Sequence, residues 1–191
     1  GATAVGISFN NGVLLASERR VSFGNFVVNK NTKKTFVLTE NVGAACAGMV
    51  ADMNVLARQV AALSKIRKFE IRRDLPTNSV AKLMSVIMFE RRYFPLLTQV
   101  VVGGYDTKPQ IYTLDPLGSL LPDEYAAVGS GAEMALGVLD AQYTSKMNEE
   151  DARNLAIKSI KSSIQRDASS GDGIDILIIS NKGKNEESIK V

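Results

Sequence analysis

The sequence predicts an α+β fold built as a four-layer αββα sandwich, with two antiparallel sheets between two helical layers. Three observations predict it. Short apolar strands joined by tight turns open the chain, amphipathic helices come in two separate pairs, and strands return after each pair. Hairpin-linked strands make antiparallel sheets, and two helix pairs suffice to cover two sheet faces. The chain's 191 residues suit one domain, residues 1–191, because a chain of about 150–200 residues buries roughly 70% of its unfolded surface.

Thr3–Phe9 and Val13–Glu18 read as strands flanking Asn10-Asn11-Gly12. Asn and Gly tolerate positive φ, so a hairpin is expected there. Phe26–Val28, Lys34–Leu38 and Val42–Ala47 follow as strands, with Thr39-Glu40-Asn41 as a turn. The run from Val42 to Gly48 is almost wholly small and apolar, as in a strand buried on both faces. The period then changes. Leu56, Val60 and Leu63 lie at i, i+4 and i+7, and Val80, Leu83, Met84 and Ile87 at i, i+3, i+4 and i+7. These spacings predict helices over Ala51–Glu70 and Asn78–Arg92, the second punctuated by Pro76 and Pro95. Gln99–Tyr105 and Gln110–Leu114 are expected as strands around Asp106–Pro109, and Glu124–Val128 as another. Helical spacing returns at Ala132–Tyr143 and at Asn148–Asp167, where Ala152, Ala156, Ile160 and Ile164 share a face. Ile174–Ser180 is the last expected strand, ended by Asn181-Lys182-Gly183.

Composition excludes several chemistries. The chain has 45% apolar residues, 23 basic against 20 acidic side chains, one cysteine, no tryptophan and no histidine. Without histidine there is no Ser-His-Asp or Cys-His relay and no imidazole-ligated zinc or haem. The lone Cys46 excludes an intrachain disulfide and a cysteine-cluster metal site, which suits a reducing compartment. No cofactor or metal is expected. No apolar run approaches the roughly 18 residues of a membrane span, and the start carries no signal-peptide pattern. A soluble cytoplasmic location is expected. The chain begins at Gly1, not Met, so sequence upstream is expected too. A net charge of +3 is too mild to imply nucleic acid by itself.

A hydrolase without histidine needs another base, such as lysine, a carboxylate or the chain's own amine. Polar residues sit where strand and helix ends would converge: Glu18-Arg19-Arg20, Lys33-Lys34, Gly129-Ser130-Gly131, and Asp167 through Ser170 to Gly171. Each has an ordinary reading as well, as a solvated strand end, a strand-to-helix turn or a helix stop.

Taken together, these segments resemble the β-type subunits of the 20S proteasome, in the N-terminal-nucleophile hydrolase superfamily, and most closely those of archaeal type. The opening Thr3-Ala-Val-Gly-Ile7 with Val13-Leu-Leu-Ala-Ser-Glu-Arg-Arg20 carries the likeness. So do Gly24-Asn-Phe26, Lys33-Lys34, Ala47-Gly48, Val102-Gly-Gly104, Gly129-Ser-Gly131, Gly137-Val-Leu139 with Tyr143, and Arg166-Asp167 through Ser170-Gly171 to Ile174-Asp175. The resemblance implies the αββα sandwich already reached from element order. It also implies an endopeptidase complex of stacked heptameric rings, with proteasome α subunits and other β subunits as partners and unfolded polypeptide as substrate. Neither nucleic acid nor membrane is an expected partner.

In the active family an N-terminal threonine, freed by self-cleavage, attacks the peptide carbonyl with its hydroxyl while its α-amine serves as base. An amine with a reference pKa of about 7.7–8.0 is a workable substitute for imidazole near neutrality. By resemblance Glu18 takes the carboxylate slot, Lys34 the lysine slot and Gly48 the oxyanion N–H slot, while Ser130, Asp167 and Ser170 support the terminal amine. Val21, Cys46 and Val50 take the substrate side-chain pocket, which would be small and apolar. Read on its own residues, Cys46 is a small hydrophobe in a buried strand, and only the resemblance puts it at a pocket.

The nucleophile slot falls on residue 2, which Lys34 follows by 32 places, and residue 2 is alanine. Choosing Thr3 instead would send its side chain to the opposite face of the strand. The expectation is therefore a chain inactive in itself, serving ring assembly and chamber wall, whether the alanine is native or introduced. Two other readings stand beside it. One is an independent N-terminal-nucleophile amidase on small substrates. The other is a basic nucleic-acid-binding module using Lys65, Arg67, Lys68, Arg72 and Arg73, with Arg91-Arg92.

Overall fold

Alternation along the strands sets the layers. The computed structural model describes all 191 residues. The strands before the first helix are β1 (Thr3–Phe9), β2 (Gly12–Glu18), β3 (Val21–Phe23), β4 (Phe26–Asn29), β5 (Thr35–Val37) and β6 (Val42–Gly48). The helices α1 (Val50–Ile71) and α2 (Thr77–Glu90) follow. After them come β7 (Thr98–Tyr105), β8 (Pro109–Leu114), β9 (Leu120–Asp123) and β10 (Tyr125–Gly129). The chain closes with α3 (Ala132–Gln142), α4 (Glu149–Ile164), β11 (Ile174–Ser180) and β12 (Gly183–Ile189).

One antiparallel sheet runs β10–β1–β2–β11–β12 and the other β5–β6–β7–β8–β9, with β3–β4 as a separate ribbon. Val5, Ile7, Leu14, Ile174 and Ile176 face α3 and α4, burying Leu139, Ala156 and Ile160. Their neighbours Ala4, Val13, Leu15, Leu177 and Ile179 point the other way and meet Ala45, Ala47 and Val101 of the second sheet. The outer face of that second sheet packs Ala44, Cys46, Val100 and Val102 under Met53, Leu56, Val60, Val80 and Met84 of α1 and α2. The result is the expected αββα order.

Small residues set the spacing between the sheets. A Cβ on Gly6 would lie 2.5 Å from Val101 Cγ1, and one on Gly43 2.5 Å from Leu177 Cδ2, so bare backbone is what lets the sheets close here. The small, apolar run Val42–Gly48 is explained in the same way: it is buried between a sheet and a helical layer along all but its last residue.

Three strands escape the hydrophobic pattern. β12 is polar up to Ile189, and Asn181–Gly183 turns the chain back into it where the sequence suggested an end. It forms a sheet edge held by ion pairs Lys33–Glu186, Lys184–Glu40 and Arg153–Glu187. β9 contains Pro122, which an edge strand tolerates because no N–H is needed on its outer side. β3 is only three residues long. The helices lie within a few residues of expectation. Asn148 caps α4 reciprocally with Asp151. The α2 start is capped from outside, by Asp106 accepting from Thr77 N–H at 2.9 Å. No helix is long and apolar enough to cross a membrane.

Antiparallel register brings several chain ends to one end of the sandwich. Thr3 sits opposite Gly129, Glu18 opposite Ile174, and Gly48 opposite Thr98. A hydrogen bond from Gly129 N–H to Gln99 Oε1 at 2.8 Å ties the two sheets there.

Candidate active site

The polar segments picked out along the sequence meet at that end. Glu18 closes β2 and is fully buried, and Lys34, just before β5, is 1% exposed. Lys34 Nζ donates to Glu18 Oε1 and, at 2.6 Å, to the Arg20 carbonyl. Glu18 also accepts three backbone N–H groups: Thr3 at 3.3 Å on Oε1, and Arg20 at 2.7 Å and Gly171 at 3.0 Å on Oε2. One carboxylate thus ties β1, the end of β2 and the loop after α4. It is not the solvated strand end that the residues read singly would suggest.

Around residue 2 a second network forms. Ala2 N–H donates to Ser130 Oγ at 3.0 Å, and Ser130 Oγ donates to Asp167 Oδ2 at 2.6 Å. Ser170 Oγ reaches the same oxygen at 2.7 Å, and Ser169 N–H donates to Asp167 Oδ1 at 3.0 Å. Burial alone would raise the Asp167 pKa, but hydrogen bonds from Ser130, Ser170 and Ser169 outweigh it and hold it below the ordinary carboxylate value. The structure therefore brings Ala2, Glu18, Lys34, Ser130, Asp167 and Ser170 into one constellation.

Gly48 joins them through strand geometry. A Cβ on Gly129 would lie 2.1 Å from Ala2 O and 2.8 Å from Ala47 Cβ, so the end of β6 lies against residue 2. Cys46 N–H donates to Lys34 O, while Met49 N–H donates to Leu97 O on the opposite edge. N–H groups alternate between the edges of a strand. Gly48 N–H accordingly points to the Lys34 edge, beyond the first residue of β5. Gly48 has φ of 139°, and a Cβ there would lie 2.2 Å from Leu97 O. Only glycine suits the position.

Thr3 is turned away from this edge. Ala2 and Ala4 belong to the layer between the sheets. The Thr3 hydroxyl lies on the other face of β1, 2.7 Å from Ser170 Oγ and against Gly131.

The residues expected to form a substrate pocket are not gathered around any of the principal cavities. Val21 on β3 and Val50 at the start of α1 are half-buried. Cys46 is 2% exposed and packs beneath α1 and α2. Burial pushes its thiol up to about 12 despite a hydrogen bond with Thr98, so it remains neutral and unreactive.

Sequence reasoning assigned no role to Arg19, Arg20, Asp172 and Asp175, which brace the loop after α4. Arg20 Nε donates to Asp172 Oδ2 at 2.7 Å and Arg20 Nη1 to the Ala168 carbonyl at 2.9 Å. Arg19 pairs with the buried Asp175 at 3.3 Å. The Glu18-Arg19-Arg20 run signalled charge at a strand end, but the carboxylates that pair with Arg19 and Arg20 lie more than 150 residues away along the chain.

Comparison with known proteins agrees with this architecture. A family model described as "Proteasome subunit" matches residues 1–179. "Proteasome subunit beta 1" of Nitrosopumilus maritimus is 62% identical over 192 aligned positions, covering 100% of this chain and 97% of the relative. "Proteasome subunit beta 1" of Cenarchaeum symbiosum is 63% identical, covering 97% and 96%. "Proteasome subunit beta 2" of Pyrobaculum arsenaticum is 46% identical, covering 100% and 95%. With its αββα layers and the constellation around residue 2, the chain belongs to the proteasome subunit family, as a β-type subunit.

Proposed function

We propose that this chain is a β subunit of a 20S-type proteasome core that does not itself cleave peptide bonds. In that role it packs with α subunits and with other β subunits in heptameric rings and supplies wall to a cytoplasmic chamber where unfolded polypeptide is degraded. One observation carries the reading: a methyl group stands at residue 2, where the surrounding groups would serve a hydroxyl.

A threonine at this position with a free amine would have what acyl transfer needs. Its hydroxyl would be the nucleophile and its amine the base, with the Lys34 ammonium favouring deprotonated neighbours and Gly48 N–H receiving the developing oxyanion. Ser130 and Asp167 would orient the amine. Ala2 supplies no oxygen, and its nitrogen is an amide bonded to Gly1 whose N–H is already donated to Ser130. Losing the nucleophile from such a unit costs on the order of 10⁴–10⁶ in rate. Thr3 offers no replacement, because its hydroxyl lies on the wrong face.

The test is to assemble particles in which this chain is the only β subunit and measure hydrolysis of fluorogenic peptides, beside particles carrying Ala2→Thr. The expected result is no turnover from the unaltered chain. With Ala2→Thr, loss of Gly1 by intact mass and the appearance of hydrolysis are expected. Turnover by the unaltered chain, or its acylation by an inhibitor directed at N-terminal threonine, would refute the proposal.

A further inference from the structure

The turn that carries Ser130 is gripped on both flanks. Gly131 is held from the helical layer: Ser163 Oγ, fully buried on α4, donates to the Gly131 carbonyl at 2.7 Å. Ser163 O accepts from Asp167 N–H at 2.7 Å, so this grip is tied to the carboxylate that Ser130 also meets. A Cβ on Gly131 would lie 2.0 Å from Thr3 Oγ1 and 2.8 Å from Ser163 Cβ, which leaves the turn no room to shift toward α4.

Gly129, on the other flank, is held from the opposite sheet. β10 is an edge strand. Its pairing with β1 puts Ser8 N–H on Glu124 O and sets Thr3 opposite Gly129. Because N–H groups alternate along a strand, Gly129 N–H faces the free edge, where the ladder supplies no acceptor. Gln99 Oε1 takes that N–H at 2.8 Å. Gln99 stands on β7 opposite Ala47 of β6, one residue before Gly48. Its side chain is exposed, so core packing does not account for it.

We infer that Gln99 is a positioning residue of the site, fixing the gap between the backbone of residue 2 and the Gly48 N–H. The inference rests on the reading of residue 2 as the nucleophile slot. The path is short. Gln99 holds Gly129, which lies against Ala2; Ser130, the next residue, accepts Ala2 N–H at 3.0 Å and donates to Asp167 at 2.6 Å. A hydroxyl on residue 2 and an oxyanion donor at Gly48 would belong to different sheets. Their separation needs a tie across the sandwich, since misplacement by about 1 Å can cost about 10²-fold in rate.

Gln99→Met removes the acceptor at nearly constant shape, and Gln99→Glu restores one; at an exposed position neither should disturb folding. In the full chain with Ala2 unaltered, residue-resolved hydrogen exchange by NMR is the first readout. Gln99→Met should speed exchange of Gly129 N–H about three- to tenfold and that of Ala2 N–H with it, and Gln99→Glu should restore both. Particles carrying Ala2→Thr give the second readout. There Gln99→Met should lower kcat on a fluorogenic peptide about tenfold or more with KM within about twofold, and Gln99→Glu should recover most of the loss. Exchange at Ala2 that ignores Gln99→Met would overturn the inference, because Gln99 would then hold Gly129 alone. So would an unchanged kcat in active Ala2→Thr particles, or a loss that Gln99→Glu does not rescue. If Ala2→Thr particles are inactive with Gln99 intact, the nucleophile-slot reading fails; coupled exchange at Gly129 and Ala2 would still support the positioning role, and uncoupled exchange would still overturn it.

Discussion

Replacing Lys34 by methionine should destabilise this chain severely even though the chain lacks a nucleophile. Lys34 is 1% exposed and Glu18 fully buried, so the substitution leaves a carboxylate out of water without its counter-charge. Breaking a buried pair by removing one partner costs about 3–5 kcal/mol. The three backbone N–H groups on Glu18 keep the carboxylate partly solvated and favour the lower half of that range. For a chain of this length, about 2–4 °C of Tm per kcal/mol translates the lower half of that range into roughly 6–16 °C.

Glu18→Gln should cost a similar amount by a different route. Whichever way the amide is turned, its NH₂ faces donors: Thr3 N–H and Lys34 on one side, Arg20 and Gly171 N–H on the other. The double variant should fall short of the sum of the single effects by about 2 kcal/mol or more, because both remove the same pair. Denaturant melts of the four proteins, read as midpoints at constant slope, measure the cycle. A loss below about 1 kcal/mol for Lys34→Met, or strict additivity, would refute the claim that this pair anchors the fold.

Other groups make separate predictions. Asp167 has a depressed pKa in the folded chain, so its contribution is present above the unfolded carboxylate value of about 3.9 and is lost as pH falls through the folded value. The stability gap between the unaltered chain and Asp167→Ala should therefore be widest near neutrality and shrink below about pH 4, as melts across pH will show. Asp106→Ala removes the cap on Thr77 N–H at the α2 start and should cost about 1 kcal/mol in a denaturant melt. Cys46 should resist a thiol-specific reagent in the folded chain and react only on unfolding, because burial holds it as a thiol; rapid native-state labelling would contradict its place under α1.

The layer order was legible because its signals are local. Ala152, Ala156 and Ile160 mark the buried face of α4, and Asn10-Asn11-Gly12 marks a turn between strands that do pair. β12 was illegible for a physical reason: an edge strand held by Lys184, Glu186 and Glu187 carries no apolar alternation. The Asp106 cap was illegible because its partner is 29 residues away. The site lies between these cases. Family spacing set the nucleophile slot at residue 2, and strand alternation then put the Thr3 side chain on the opposite face, where its hydroxyl lies against Ser170. The grouping of Glu18 with Lys34, and of Ser130 with Asp167 and Ser170, came from family spacing, since nothing local links Ser130 to Asp167, 37 positions on.

The persistence of Glu18, Lys34 and Asp167 around an alanine is sometimes the kind of pattern taken as a sign of hidden activity. The hydrogen bonds point elsewhere. Glu18 holds three segments of backbone, and Asp167 collects two serine hydroxyls and an N–H; deleting the buried Glu18 or Lys34 leaves buried polar groups unpaired, at about 1–3 kcal/mol each, and deleting Asp167 removes three hydrogen bonds nearer the surface. Stability alone is sufficient to retain them, whether or not a substrate is ever cut. Residue 2 differs in kind, because its methyl packs in the layer between the sheets but makes no hydrogen bond, so no buried polar group depends on it and an oxygen there would serve chemistry. The substitution Ala2→Thr therefore separates the two roles. If the scaffold kept by stability is also competent, Ala2→Thr will lose Gly1 and gain hydrolysis. If Gly1 stays although the chain melts normally, the constellation has been retained as a fold anchor that no longer has catalytic geometry.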